Sequence, residues 1–498
     1  MPLFTGLATF LTYIYYNQIS ILPKSFNFKI INWDTNLSLS NVKTITLIRN
    51  ISAWGKGNEN HITNHILLSN EECQDKLIKN QKTYKVNRFK NPIIKIETNS
   101  IEANFKSEDE ISIDFLTKSN IENLRKDGHG GGQTSSLLKK TLHGTLAWGL
   151  SGLKEWNSKE IYQKIKETYL ALDNDICRAG LSVAQSKSTS QDTILPTPNP
   201  SLLSLIPNAG AVTCTAFIDV EKEKLYLINV GDSRAVAGWY DEKTCKWRVD
   251  TLSQDQECGN PAEIERLQNM HSPPLKDVVL DEGFTPRLLG NLQPSRAFGD
   301  DSSKLNRAEK KSIAEAGQLT PMPEESLFTK KPISYDDPPY MDACPEILIR
   351  NLRNNENPNE KLKFLIIATD GLWDKISSEE SILLLSAHLS NSIQNPIPKS
   401  KLPNMFSQID NFDERPYPSE ELPGTIEKNS KGNWLFEDKN SATHLIRNGL
   451  DGNGDKEIHN MILSLTGSGA REVRDDTSVI VVHFDTDKLD DKGSSGTD

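Results

Sequence analysis

The sequence predicts an α+β fold with antiparallel sheets, and two patterns in its 498 residues support this prediction. Its β-rich runs cluster in meanders and its helical segments come in pairs, whereas a parallel α/β fold would alternate strands with helices. In residues 211–240, two β-rich runs are joined by the charged residues EKEK, and a third run follows GDSR. Residues 363–374 are predicted to form a buried strand closing on a turn, and residues 477–484 the final strand.

Helices are predicted where apolar residues recur at helical spacing or where capping residues begin such a pattern. Leucines at four-residue intervals mark residues 136–150, directly after a glycine cluster, as an amphipathic helix. Asn157 is predicted to cap a second helix that continues to Ile176. Two further helix starts combine an N-cap residue with an acid three residues later: Asn260 with Pro261 and Glu263, and Ser377 with Glu380. Two more helices are predicted around 440–450 and 456–466.

The composition is that of an acidic globular protein. With 57 Lys and Arg against 68 Asp and Glu, the net charge is −11. This balance argues against a partner nucleic acid bound by phosphate neutralisation, and it suits cations. The six cysteines contain no CxxC pair, which disfavours a disulfide framework or a zinc ribbon and predicts reduced, buried thiols.

The amino terminus differs in composition from the rest of the chain. Residues 1–33 contain no acid, and the apolar run at 3–16 is shorter than the ~20 residues of a spanning helix. We interpret residues 1–65 as a cleaved or membrane-associated organellar leader within a poorly structured region, with a disordered start as the alternative. One domain is predicted over 66–487, followed by a disordered tail at 488–498. Surface insertions in the domain are expected near 185–208, 301–340 and 391–437.

Four short motifs each place an aspartate on a turn beside a strand. They are DGHGG at Asp127, GDSR at Asp232, TDGLWD at Asp370 and Asp374, and RDDTS at Asp475. Singly, none is specific, because Asp-Gly is a common turn dipeptide. Together they offer the carboxylates that Mg²⁺ and Mn²⁺ prefer, and the absence of Cys–His spacing disfavours zinc.

In this order, and with LQPSRAFGD at 292–300, these motifs resemble the blocks of the metal-dependent serine/threonine protein phosphatases, the protein phosphatase 2C or PPM family. Residues 67–88, 252–267 and 436–450 are more similar still to its mitochondrial branch, the pyruvate dehydrogenase phosphatases and their fungal relatives. The resemblance covers roughly 66–487. It implies a β-sandwich of two antiparallel sheets flanked by helix pairs, with two Mg²⁺ or Mn²⁺ ions in a cleft at one end.

The resemblance also assigns roles to individual residues. Asp127 would bridge both metals, the Gly128 carbonyl would hold one ion, and Asp370 and Asp475 would hold the other. His129 matches the general acid that protonates the departing Ser or Thr oxygen, with a turn-stabilising imidazole as the alternative.

Further residues match supporting positions of the family. Asp232 and Asp374 match the ligands of a third, weaker metal in some members, and capping of the following segment is the alternative for Asp374. Arg234 and Arg296 are predicted to pair with carboxylates inside the fold and not with substrate.

A second acidic motif precedes DGHGG, and the residues between the two motifs depart from the family pattern. Residues 98–110 would supply Glu108 and Asp109 to hold metal-bound waters and Asn104 to contact the phosphate, with a solvated acidic run as the alternative. Family members place an aromatic-rich strand immediately before DGHGG, whereas this chain has the polar residues SNIENLRK. Asp109 and Asp127 are 18 residues apart, which is short for two full strands and a turn. An inactive relative is the hypothesis that this segment suggests.

Three functions are consistent with these residues. The first is a mitochondrial protein serine/threonine phosphatase, with the pyruvate dehydrogenase alpha subunit as a candidate partner and substrate. The second is a pseudophosphatase that binds phosphoproteins without turnover. The third is a metal-dependent hydrolase of a small phosphoester.

Overall fold

A computed structural model describes residues 7–17, 44–52, 58–88, 90–103, 107–117, 134–189, 209–280, 285–316, 337–390, 396–405, 408–411, 432–451, 454–471 and 473–490. The strands, in chain order, are β1 (Leu7–Asn17), β2 (Thr44–Ser52), β3 (Asn58–Ile66), β4 (Lys82–Lys85), β5 (Ile93–Ile101), β6 (Glu110–Thr117), β7 (Gly210–Asp219), β8 (Lys224–Val230), β9 (Arg234–Asp241), β10 (Lys246–Thr251), β11 (Val279–Leu280), β12 (Arg287–Leu288), β13 (Phe298–Gly299), β14 (Glu346–Asn351), β15 (Glu360–Ala368), β16 (Ile397–Pro398), β17 (Gln408–Asn411), β18 (Asn433–Trp434) and β19 (Thr477–Phe484). The α-helices are α1 (Asn70–Ile78), α2 (Thr134–Ser151), α3 (Ser158–Thr189), α4 (Pro261–Gln268), α5 (Arg307–Ala316), α6 (Asp370–Trp373), α7 (Ser378–Ser390), α8 (Leu402–Met405), α9 (Ser441–Asp451), α10 (Lys456–Ser464) and α11 (Ser468–Arg471).

Two large sheets form the centre of the molecule. The first sheet has the strand order β14-β8-β7-β1-β6, with β13 also paired to β7, and every pairing in it is antiparallel. The second sheet has the order β17-β10-β9-β15-β19-β5-β4 and is antiparallel except where β17 joins β10. The three runs predicted over 211–240 are strands β7, β8 and β9, but the prediction that they form one meander is wrong. Strands β7 and β8 pair in the first sheet, whereas residues 231–233 carry the chain to the second sheet, where β9 pairs with β10 and β15.

The apolar residues of the strands alternate between two cores, as a period of two requires. Along β7, Cys214 and Ala216 face the core between the two sheets, whereas Phe217 faces α2 and α3 on the outside of the first sheet. On the outside of the second sheet, Ile366 packs against α7 and α9. The layers run helix, sheet, sheet, helix, which confirms the predicted sandwich flanked by helix pairs.

The helix starts follow the predicted capping residues. Asn157 Oδ1 accepts a hydrogen bond from the backbone N–H of Glu160 at 2.9 Å, and Ser377 forms the reciprocal capping box with Glu380. Asn260 caps α4, but Glu263 does not serve as a capping-box acid, because its carboxylate pairs with arginines of the fold. The helix from Asn157 extends beyond the predicted Ile176 and enters the segment assigned to the 185–208 loop.

The amino-terminal region differs from the expected leader within a poorly structured segment. Residues 7–17 form β1 inside the first sheet, and β2 and β3 pair as a hairpin. The reason is that an aromatic and β-branched apolar run is also a good strand, and its pairing partners lie too far along the chain for local composition to indicate them. In the described residues no helix combines the length and apolar character needed to cross a membrane. All six cysteines are free thiols, and four of them are buried.

Candidate metal centre

Strand pairing in the second sheet brings three of the predicted acidic residues to one end of the sandwich. The C-terminal end of β15 lies beside the N-terminal ends of β9 and β19, because both pairings are antiparallel. Asp370 follows β15, Asp232 precedes β9, and Asp475 precedes β19. We call this end of the molecule the acidic end.

Glu108 and Asp109 also lie at the acidic end. The Asp476 carboxylate accepts hydrogen bonds from the backbone N–H groups of Ala103 at 2.6 Å and Glu108 at 2.8 Å. Thr369 Oγ1 lies 3.5 Å from Asp109 Oδ2. Asp109 is only 7 % exposed, which differs from a solvated acidic run. Asp476 was not singled out from the sequence, because nothing in RDDTS distinguishes the acid that binds backbone from the acid beside it.

Burial and mutual repulsion raise the pKa of the clustered carboxyls. Burial raises the pKa of Asp370 well above its ordinary value, and the charges of acidic neighbours add to the rise; these are Asp475, Asp232, Asp374 and Asp109. The pKa of Asp232 is also raised, first by burial and then by the charge of Glu257. Carboxylates gathered in this way remain ionised at low cost only beside a compensating cation.

Two further carboxyls of the acidic end have raised pKa values. Burial raises the pKa of Glu108 to about 7, although the charge of Arg471 opposes the shift. Burial likewise raises the pKa of Asp475 to about 6, again opposed by Arg471 and supported by the charge of Asp476. Buried carboxyls with raised pKa values are typical of a cation-binding site and not of a solvent-exposed acidic surface.

Three carboxylate oxygens at the acidic end are inaccessible to solvent and accept no hydrogen bond from the described residues: Oδ1 of Asp232, Oδ1 of Asp370 and Oε2 of Glu108. An unpartnered buried carboxylate oxygen is costly, and hard divalent cations bind such oxygens. The donor set therefore fits Mg²⁺ or Mn²⁺. Across the described ranges, no three acidic, histidine or cysteine side chains come close enough to hold an ion by themselves.

The TDGLWD turn fixes Asp370 against the RDDTS turn. A Cβ atom added at Gly371 would overlap the carbonyl oxygen of Asp476, so only glycine allows the two turns to approach this closely. Trp373 Nε1 donates hydrogen bonds to the carbonyl oxygens of Arg234 at 3.1 Å and Ala368 at 3.0 Å. Glycine and tryptophan thus hold the turn that carries Asp370. Asp374 is the exposed C-cap of α6, and its backbone N–H donates to the Asp370 carbonyl at 2.7 Å.

Arginines at the acidic end are held by partners within the fold. Arg471 Nη1 forms an ion pair with Asp475 Oδ1, and the buried Arg474 donates to the carbonyl oxygen of Glu102 at 2.5 Å. Arg234 Nε donates to Asp255 Oδ1 at 2.8 Å. On the sequence grounds given above, Arg234 was expected to pair inside the fold, and this expectation is confirmed.

Arg296 confirms the same expectation. Its guanidinium donates two hydrogen bonds to the Glu263 carboxylate, at 2.5 Å and 3.0 Å, and one to the carbonyl oxygen of Cys344 at 2.7 Å. Arg266 and Ser295 donate to the same carboxylate. Although burial favours the protonated acid, these hydrogen bonds and charges hold the pKa of Glu263 at about 2.

The predicted residues Asn104, Asp127, Gly128 and His129 lie outside the described residues. The chain that follows them is anchored at the acidic end. Thr134 Oγ1 donates to the Ala209 carbonyl at 2.8 Å, and Lys139 Nζ lies 2.7 Å from a carboxylate oxygen of Glu110, the first residue of β6. The start of α2 is therefore tied to the strand that follows Asp109.

Comparisons with known proteins show the family to which the chain is similar. The protein phosphatase 2C family model matches residues 120–399. Mitochondrial pyruvate dehydrogenase (acetyl-transferring) phosphatase 1 of Saccharomyces cerevisiae is 29 % identical over 385 residues, covering 74 % of this chain and 62 % of that protein. The human phosphatase 1 is 34 % identical over 287 residues, covering 56 % and 48 %. The human phosphatase 2 is 27 % identical over 478 residues, covering 85 % of each. The chain thus spans 62 % and 48 % of the lengths of the first two relatives, less than two thirds of either.

Proposed function

Because the chain belongs to the protein phosphatase 2C family, we propose that it is a metal-dependent phosphatase that hydrolyses phosphoserine and phosphothreonine in proteins. The observation that carries the proposal is the acidic end, where the buried oxygens of Asp232, Asp370 and Glu108 accept no hydrogen bond from described residues. An acidic chain can act on a phosphate when bound metals attract it.

The residues that would hold the metals are those named by the family motifs. Asp127 and the Gly128 carbonyl would hold one ion. Asp370 and Asp475, again with Asp127, would hold the other. Glu108 and Asp109 would hold water around them, with Asp232 and Asp374 available to a third ion. When bound, a pair of Mg²⁺ or Mn²⁺ ions neutralises phosphate charge and activates water for attack on phosphorus.

The chain's own residues supply the proton and the orientation. His129 would donate a proton to the leaving Ser or Thr oxygen, since an alkoxide is a poor leaving group. Asn104 would hold a phosphate oxygen by hydrogen bonding. Asp476 fixes the backbone of Ala103 and of Glu108, because its carboxylate accepts a hydrogen bond from the N–H group of each.

The candidate substrate is a phosphoserine of the pyruvate dehydrogenase alpha subunit in mitochondria. The support is the similarity to three mitochondrial pyruvate dehydrogenase phosphatases. The net charge of −11 suits a substrate segment that carries basic residues near the phosphate.

The test is phosphate release by the purified full-length chain. A phosphoserine peptide and p-nitrophenyl phosphate are each assayed with Mn²⁺, with Mg²⁺ and with EDTA. We expect metal-dependent release from the peptide and none with EDTA. No release at any metal concentration would favour the pseudophosphatase, and a preference for the small ester would favour the third reading. Asp277→Asn, at an exposed position that is not among the predicted site residues, is the control for a lost charge.

His129→Gln tests the proposed proton donor. We expect kcat for the phosphoserine peptide to fall by about 10²–10⁴-fold, the usual contribution of a general acid. The p-nitrophenolate leaving group needs no proton, so kcat for p-nitrophenyl phosphate should fall far less. Equal losses on both substrates would assign His129 a structural role in the turn.

A further inference from the structure

Strand β1 lies inside the first sheet, between two strands that are distant from it in sequence. Residues 7–14 pair antiparallel with β6, and residues 8–17 pair antiparallel with β7. Tyr13, for example, lies opposite Ile111 on one side and Cys214 on the other. Both backbone edges of β1 are therefore used in the sheet.

The neighbouring strand β7 depends on this pairing. Every residue of β7 is buried, and its other edge pairs with β8. Without β1, the edge of β7 would leave backbone N–H and C=O groups unpaired in a buried place, which costs free energy at each group. The sequence of β1, LATFLTYIYYN, is rich in the aromatic and β-branched residues that favour strands.

The sequence that follows β6 does not predict an equivalent strand. Residues 118–126 are polar and poor in strand-forming residues, where the family places an aromatic-rich strand. The position between β6 and β7 is instead filled from the amino terminus. The pairing also reaches the acidic end, since Ile14 lies opposite Glu110 and Asn17 opposite Gly210.

We propose that residues 7–17 are an internal strand of the phosphatase domain, and that the domain keeps its fold and its activity only while this strand stays in the sheet. The strand joins β6 to β7. Strand β6 begins directly after Asp109, and β7 begins directly after Ala209, whose carbonyl oxygen accepts a hydrogen bond from Thr134. Loss of the strand frees β6 and with it the carboxylates of the acidic end. The activity part of this inference rests on the proposed function, whereas the structural part does not.

The main experiment cuts the folded full-length chain. A site for a specific protease is inserted after Pro23, and the purified protein is cleaved and passed over a size-exclusion column. We expect the amino-terminal fragment to co-elute with the remainder in a one-to-one ratio, with activity kept. After the fragment is removed in mild urea, the melting temperature should fall by at least about 5 °C. A fragment that separates at once, with an unchanged melting temperature, would overturn the proposal.

A matched pair of substitutions tests the backbone pairing directly. Thr12 lies opposite Ser112 of β6 and Thr215 of β7. Thr12→Pro removes a backbone N–H in the middle of the ladder, whereas Thr12→Val keeps it and keeps the β-branched shape. We expect the proline variant to melt at a lower temperature or to remain unfolded, and the valine variant to match the wild type. A proline variant with wild-type melting and activity would contradict the proposal.

These readouts separate this inference from the proposed function. Co-elution and melting report on the strand whether or not the protein releases phosphate. A fragment that stays bound in a protein without phosphatase activity would leave the strand assignment intact and defeat only the proposed function. Full activity after complete removal of the fragment would defeat the strand assignment and leave the proposed function intact.

Discussion

Replacing Asp370 with Asn should change the stability of the protein in opposite directions without and with metal. Asp370 Oδ1 is closed to solvent and accepts no hydrogen bond from the described residues, and burial together with acidic neighbours raises the pKa of this carboxyl. Asn keeps the size of the side chain and removes its charge. In the metal-free protein, Asp370→Asn therefore relieves repulsion, whereas in the metal-bound protein it removes a ligand.

The expected magnitudes follow from the environment of Asp370. Burial and acidic neighbours disfavour the charged form of Asp370, and each pKa unit of such a shift corresponds to about 1.4 kcal/mol, so for this partly exposed residue we expect a gain of about 1–2 kcal/mol. A ligand present at 100 times its Kd stabilises the wild type by about 2.7 kcal/mol. The variant should lose most of that stabilisation by metal.

Asp173→Asn is the control for a buried carboxylate with a cationic partner. Lys304 Nζ lies 2.7 Å from each oxygen of the Asp173 carboxylate, and both side chains are buried. Removing this carboxylate strands a buried ammonium, so we expect a loss of about 3–5 kcal/mol that is the same with and without metal.

Urea unfolding in EDTA and at increasing Mn²⁺ measures these differences, and phosphate release is measured on the same samples. The reasoning is refuted if Asp370→Asn is less stable than the wild type in EDTA, or if Mn²⁺ stabilises both proteins equally. Retained wild-type turnover would show that Asp370 is not a metal ligand.

Two further substitutions test the scaffold around the acidic end. Arginine partners hold the pKa of Glu263 at about 2, so its ionisation contributes about 3 kcal/mol to the free energy of unfolding above pH 4.5. This contribution is lost as the pH falls from 4.5 towards 2. In urea unfolding, Glu263→Gln should accordingly be less stable than the wild type by about 3 kcal/mol at pH 7 and by about half as much at pH 3. A stability difference that does not change with pH would contradict the ion pairing. Gly371→Ala should force the Asp370 turn away from the Asp476 carbonyl, lowering turnover and raising the Mn²⁺ concentration needed for half-maximal activity, whereas unchanged metal dependence would show that the turns need not touch.

The sandwich could be predicted from the sequence because its central strands carry their evidence locally. In β7 the apolar side chains alternate between the core facing the other sheet, with Cys214, and the core facing the helices, with Phe217. That alternation is visible within ten residues. The place of β1 could not be predicted in this way, because its partners begin about a hundred residues further along the chain, and periodicity indicates a strand but not its neighbour.

The site was predictable to the extent that each ligand sits in a short turn at the end of a strand. Asp232, Asp370 and Asp475 all have this position, and antiparallel pairing brings them to one end. The role of Asp476 could not be predicted, since it depends on the backbone N–H groups of Ala103 and Glu108 lying against its carboxylate in the folded chain. Glu263 likewise matches a capping box in sequence, and only the fold supplies the arginine that takes its carboxylate instead.

Scaffold carboxylates differ from Asp232 and Asp370 in having a cationic partner within the chain, a partner that Asp475 also has in Arg471. Asp173, Asp255 and Glu263 are each paired with a lysine or arginine, so their charge is compensated within the chain. Asp232 and Asp370 form no ion pair among the described residues, and burial together with neighbouring carboxylates raises the pKa of both. A net charge of −11 is therefore not spread evenly over the molecule. Because the uncompensated carboxylates lie where β15 ends and β9 begins, we expect a cation from solution to complete the charge balance there.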